Sequence, residues 1–171
     1  HILKLDIVEN HNILNNRKFD TLILKNKDDL NKINNIKKDE NDYWKNKTIS
    51  LYLNGGCICI IVLIENEIAN IRWIAPTMKA KKFVDPWPFK KLNKDEACWG
   101  EAYTLPKFRN MGVNYESVRE TIKYLYKEKF KYGYLTVKCT NRFNLLTYEK
   151  FIYSRYLEGK RIIFFSRFNF Y

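Results

Sequence analysis

LPKFRNMGVNYESVRETIKYLYKEKF, residues 105–130, decides how this chain is read. Its first half is a Pro-punctuated basic turn that carries Arg109 and Gly112. Its second half sets Val118, Ile122 and Leu125 at i, i+4 and i+7, the stripe of an amphipathic helix, with Glu116 near the positive end. ACWGEAYT, residues 97–104, reads as a strand just upstream. Downstream, Gly133 is expected to break the helix before a buried strand, YLTVKC, residues 134–139. A strand-to-helix turn leaves backbone N–H groups unpaired at the positive end of the helix dipole, so it suits a phosphate or pyrophosphate. Arg109 adds a fixed cation, and Gly112 lets the backbone approach a ligand with no Cβ in the way. Lys107, Arg119 and Lys123 stand ready for outlying phosphates.

Working outward, CICIIVLI at residues 57–64 is apolar on both faces and reads as a central strand. The turn ENE, residues 65–67, folds it back on IANIRWIA as a hairpin. Residues 76–95 lose all periodicity and hold three prolines, six lysines, Phe83, Trp87 and Phe89, which reads as a long connection able to bind something. Before the hairpin, residues 2–10 and 18–25 read as strands. Residues 27–42 set Leu30, Ile33 and Ile36 on one helical face, and a second helix spans 42–54, closed by Gly55 and Gly56. After YLTVKC, a helix capped by Asn141 or Thr140 spans NRFNLLTYEKFI, and RIIFFSRFNFY is expected as a closing strand. The sum is a mixed sheet covered by helices.

Composition narrows the chemistry. A chain of 171 residues with 46% apolar and 16% aromatic residues folds, and its length suits one domain. The formal charge of +12 attracts polyanions: nucleic acid, anionic membrane, a phosphate-bearing cofactor or an acidic carrier protein. Lys and Arg are spread from Lys4 to Arg167 instead of gathered on one element, which argues against a nucleic-acid module. Histidine is nearly absent, only His1 and His11, so a Ser-His-Asp triad, a Cys-His dyad or a His-based zinc centre is not expected, and no metal is. Cys57, Cys59, Cys98 and Cys139 are scattered and read as reduced, buried thiols; Cys57 and Cys59 fall on the same face of one strand. With no long apolar run and no secretory pattern, a cytoplasmic protein is expected.

The two halves of the quoted region, taken with residues 141–150, resemble the core motifs of the GNAT superfamily of acyl-CoA-dependent N-acyltransferases. The first motif is similar at Pro106, Arg109 and Gly112; the second at Asn141, Tyr148, Glu149 and Lys150. The resemblance implies an α/β fold, with a mixed, mostly antiparallel central sheet and helices on both faces, in a single domain over residues 1–171. It implies acetyl-CoA or another acyl-CoA as cosubstrate and a small-molecule or protein amine as acceptor. Arg109, Asn110, Met111, Gly112, Val113 and Asn114 would hold the pyrophosphate through their amides, with Asn141 a further contact. Pantetheine would lie between strands splayed near Thr104 and Thr136, and the amide near Thr104 would face the oxyanion. Tyr148 would protonate the departing thiolate. Trp99, Glu101 and Tyr103 are expected on one face of their strand, which makes Glu101 the leading base, ahead of Asp85 and Glu96. Two departures stand out: Asn114 replaces a small residue of the first motif and would crowd the phosphates, and Thr136 stands where a glutamate base is common. They leave open a catalytically silent domain that binds the cofactor or a polyanion, while the charge of +12 leaves open an acidic acyl carrier protein as donor.

Overall fold

The computed structural model describes residues 2–12, 19–37, 46–85, 91–138, 140–151 and 153–157. Among the described residues seven strands form one sheet: β1 (Ile2–Asp6), β2 (Asp20–Leu24), β3 (Ile58–Ile64), β4 (Glu67–Ala75), β5 (Glu96–Thr104), β6 (Tyr132–Thr136) and β7 (Tyr153–Leu157). Their spatial order is β2-β3-β4-β5-β6-β1-β7. Every neighbouring pair is antiparallel except β5 and β6, which run parallel. The first strand of the chain thus lies near the far edge, between β6 and β7.

Helices cover both faces. On one, α1 (Ile7–Asn12), α4 (Val113–Lys127) and α5 (Arg142–Tyr148) close a core of Leu3, Leu5, Ile60, Trp99, Val118, Ile122 and Leu125. On the other, α2 (Asn46–Asn54) and α3 (Met78–Val84), with a 3₁₀ helix at Lys27–Ile33, close a second core around Cys57, Cys59, Ile61, Trp73 and Cys98. Cys57 and Cys59 do share this face, both as free buried thiols, and burial pushes Cys57 up to about 12.

Several expectations are corrected. Residues 2–10 are not one strand: β1 stops at Asp6, whose carbonyl accepts from Asn10 Nδ2 (2.7 Å) and whose Oδ1 accepts from the Glu9 amide (2.9 Å), which starts a helix instead. Of the expected helix at 27–42, the described part, up to residue 37, holds only the short 3₁₀ turn, fixed by Asn26 Oδ1 accepting from the amides of Asp28 and Asp29. The connection after β4 is not structureless, because Thr77 caps Ala80 and begins α3, which buries Ala80 and Val84 and packs Phe83 against the second core. Gly133 does not end α4. The helix closes by Glu128, Lys129 adopts a left-handed φ of 64°, and Gly133 lies within β6. The expected closing strand at 161–171, together with Trp87, Phe89 and Cys139, lies outside the described residues.

Candidate active site

β5 and β6 pair only over Glu96↔Tyr132, Ala97↔Gly133 and Cys98↔Tyr134. Beyond that point they part, so the later residues of β5, up to Thr104, and Leu135 and Thr136 of β6 have no strand partner across the gap. A bulge accompanies the fork. The β4 register jumps from Ile71↔Tyr103 to Trp73↔Gly100, and Glu101 takes a left-handed φ of 42°. The extra residue reverses the facing of the strand beyond it: Trp99 packs into the α4-side core and Tyr103 into the opposite one. The expected common face of Trp99, Glu101 and Tyr103 is therefore broken.

The turn that succeeds β5 is tied down at both ends. Leu105 N–H donates to Ala69 O (3.0 Å), and Arg109 Nε donates to Thr104 O (3.3 Å). Asn70 Nδ2 donates to Thr104 Oγ1 (2.7 Å), while Asn70 Oδ1 is buried without a partner among the described residues. Asn110 (φ 64°) and Gly112 (φ 84°) are both left-handed, and a Cβ on Gly112 would meet open space. Val113 buries its side chain against Val62 and Ala69, which fixes the start of α4. Helix hydrogen bonding begins with Glu116 N–H donating to Gly112 O, so the amides of Gly112, Val113, Asn114 and Tyr115 have no backbone acceptor among the described residues. Arg109, Asn110 and Met111 are exposed around these donors.

The supporting cations are differently disposed. Arg119 is corrected outright: it is fully buried, and its guanidinium is taken up by Glu116 and Glu120. Glu116 is buried with it. Lys107 pairs with Glu67 at 2.6 Å, and Lys123 with Glu120 at 3.2 Å.

Tyr148, 2% exposed, comes from the last turn of α5 to the α4 side of the fork. Asn141 begins that helix by accepting from the Asn144 amide (3.2 Å), so its side chain is a cap. The Tyr148 phenol oxygen accepts from Arg72 Nη1 (3.0 Å) and from Trp99 Nε1 (3.3 Å). Arg72, on β4, also donates through Nε to Ser117 Oγ (2.8 Å) and through Nη2 to Asn114 Oδ1 (2.7 Å). Asn114 in turn donates to Asn144 Oδ1 (3.0 Å) and Thr147 Oγ1 (3.2 Å). The Asn114 side chain therefore points inward, to β4 and α5, and the expected crowding of the turn does not occur. Arg72 is a functional candidate that the sequence did not single out. Its one signal there is a lone cation inside the apolar run IANIRWIA.

Three carboxylates were candidates. Glu101 sits on the bulge at the fork; the protein around it raises its carboxyl above the ordinary range although it keeps solvent contact, and Lys138 opposes that shift. Asp85 also reaches the fork, on the face away from α4: its Oδ2 accepts from Thr136 Oγ1 (3.2 Å) and Cys98 Sγ (3.7 Å) and pairs with Lys81 at 3.7 Å. Glu96 lies at the closed end, where it accepts from Tyr134 Oη and the Asn93 amide, both at 2.9 Å. The structure brings Glu101 and Asp85 to the fork and leaves Glu96 away from it. Among the described residues no group of three or more His, Cys, Asp or Glu is disposed to hold a metal.

No family sequence model matches the chain, and no curated protein does. Solved structures do. A GNAT-family acetyltransferase from Streptococcus pneumoniae is similar at 14% identity and TM-score 0.51, over 77% of this chain and 82% of that one. An aminoglycoside acetyltransferase from an uncultured soil metagenomic sample, solved with sisomicin, is similar at 11% identity and TM-score 0.55, over 88% and 97%. An N-acetyltransferase from Staphylococcus aureus Mu50 matches at 12% identity and TM-score 0.50, over 77% and 81%. The chain has the fold of the GNAT acetyltransferases.

Proposed function

We propose that the protein is an acyltransferase that moves an acetyl or other small acyl group from coenzyme A to a primary amine by direct attack. The observation that carries this reading is the fork between β5 and β6 with the unpaired amides of α4 beside the end of β5. A pyrophosphate fits four outward amides at a helix N-terminus with Arg109 alongside and no Cβ on Gly112. A pantetheine arm fits the free strand edges beyond Cys98 and Tyr134, where its amides replace the missing ladder. Asn70 Oδ1, beside Thr104, offers one more acceptor.

In this reading the amine nitrogen attacks the thioester carbonyl carbon, a strand amide near Thr104 holds the oxyanion, and the C–S bond breaks. The departing sulfur takes the proton of Tyr148, which recovers one from solvent, and the proton lost by nitrogen passes to Glu101. No covalent enzyme intermediate is involved, so the buried thiols have no part. The test is calorimetric titration with acetyl-CoA and free CoA, repeated on Gly112→Glu. Micromolar binding lost on substitution supports the reading; no binding to the unaltered protein refutes it.

A further inference from the structure

Arg72 is 2% exposed and sits beneath α4 with three hydrogen bonds, all to neutral oxygens: Ser117 Oγ, Tyr148 Oη and Asn114 Oδ1. Among the described residues no carboxylate pairs with it. That is unusual, because a buried cation is costly unless something negative answers it. Another buried arginine, Arg119, follows the rule, with Glu116 and Glu120 against it. The phenol oxygen of Tyr148 is equally telling. It accepts from both Arg72 and Trp99, which occupies its lone pairs, so its own proton must point in a third direction, where no described residue accepts it. Trp99 lies just past the last β5–β6 pair, with the six-membered edge of its indole against Gly133 of β6 and Nε1 on the opposite edge, so this oxygen lies over β5 and β4 at the level where β5 and β6 part.

We infer that Arg72 is a positioning residue for Tyr148 that also supplies the fixed positive charge answering a thiolate at the fork. The inference rests on the acyltransferase reading above. Arg72 aims the phenol: with both lone pairs held, Tyr148 can only donate, and it donates toward the fork. When the C–S bond breaks, the electron pair goes to sulfur and the Tyr148 O–H bond gives it a proton. Arg72 keeps its own protons throughout, stabilising negative charge first near sulfur and then on the phenolate until solvent returns a proton. The unanswered charge is then matched only while that anion exists, which is the condition for rate acceleration. Asn114, conspicuous as a departure from the first motif, is the residue that holds Nη2 in place.

The experiment needs no acceptor. Affinities of coenzyme A and of desulfo-coenzyme A, which lacks the thiol, are compared across pH for the unaltered protein, Arg72→Gln, Arg72→Lys and Tyr148→Phe, with folding checked by thermal melts. A free thiol ionises near pH 8.5, so if the fork favours thiolate, the advantage of coenzyme A over desulfo-coenzyme A grows by several-fold, approaching about tenfold, as pH rises through that value. Arg72→Gln removes this growth and leaves desulfo-coenzyme A binding in place. A merely structural role weakens both ligands together and does not move the ratio. If Arg72→Gln does not fold, Tyr148→Phe decides by cutting the growth, while Arg72→Lys, which keeps the charge but not the forked hold on Tyr148 and Asn114, keeps only part of it. A pH-independent ratio in the unaltered protein, or full growth kept in these variants, overturns the role of Arg72 alone. Failure of both ligands to bind the unaltered protein overturns the acyltransferase reading and this inference with it.

Discussion

At the scale of single residues, the structure separates side chains that resemble one another in the sequence. Arg72, Arg109 and Arg119 are alike by type, yet one is buried among neutral oxygens, one is exposed beside the turn and one is locked to two glutamates. Glu101 carries a prediction. Its carboxyl is raised chiefly by burial, so in the proposed role of base it is half-titrated above the ordinary glutamate range. Transfer should fall as pH drops through that raised value, and Glu101→Gln should lower the rate and erase the inflection in a pH–rate profile. The sign for stability is opposite: a raised carboxyl favours the folded state while protonated and loses that advantage as pH rises through it. Gly133 carries another, since a Cβ there would overlap the ring edge of Trp99. Gly133→Ala should cost about 1–3 kcal/mol in denaturant unfolding and, by shifting Trp99, disturb the Tyr148 hydroxyl as well.

At the scale of elements, what the sequence displayed was periodicity. The stripe of Val118, Ile122 and Leu125 and the run CICIIVLI both became the elements they suggested, because one faces a core and the other is buried on both sides. α3 was hidden because its apolar stripe, Ala80 and Val84, is short and interrupted by lysines, and because prolines come closely after it. The bulge at Glu101 was equally illegible, since no glycine marks the left-handed position and only the jump in pairing with β4 reveals it. The turn at residues 105–114 was readable through Pro106 and Gly112, whereas the network under it joins β4, α4 and α5 across long separations and leaves no local trace. The caps are testable here. Asn141→Ala removes the acceptor for the Asn144 amide and should cost about 1 kcal/mol in a thermal melt, while loosening the helix that delivers Tyr148.

At the scale of the whole molecule, charge and topology have separate consequences. A formal charge of +12 speeds encounter with a polyphosphate ligand, so on the proposed reading the association rate for coenzyme A should fall as salt rises while the dissociation rate changes little, as stopped-flow measurements would show. Among the described residues no helix is long and apolar enough to cross a membrane. Topology bears on how the molecule is made. β1 pairs with β6 through Ile2↔Thr136 and with β7 through Leu5↔Tyr153, so both of its partners lie more than a hundred residues further along the sequence. On the ribosome, these residues emerge before either partner and wait, edges bare, until β6 and β7 have been synthesised. Closing so long a loop is entropically slow, and a waiting strand invites pairing with another copy of itself. Folding of this sheet should therefore end, not begin, with the docking of β1.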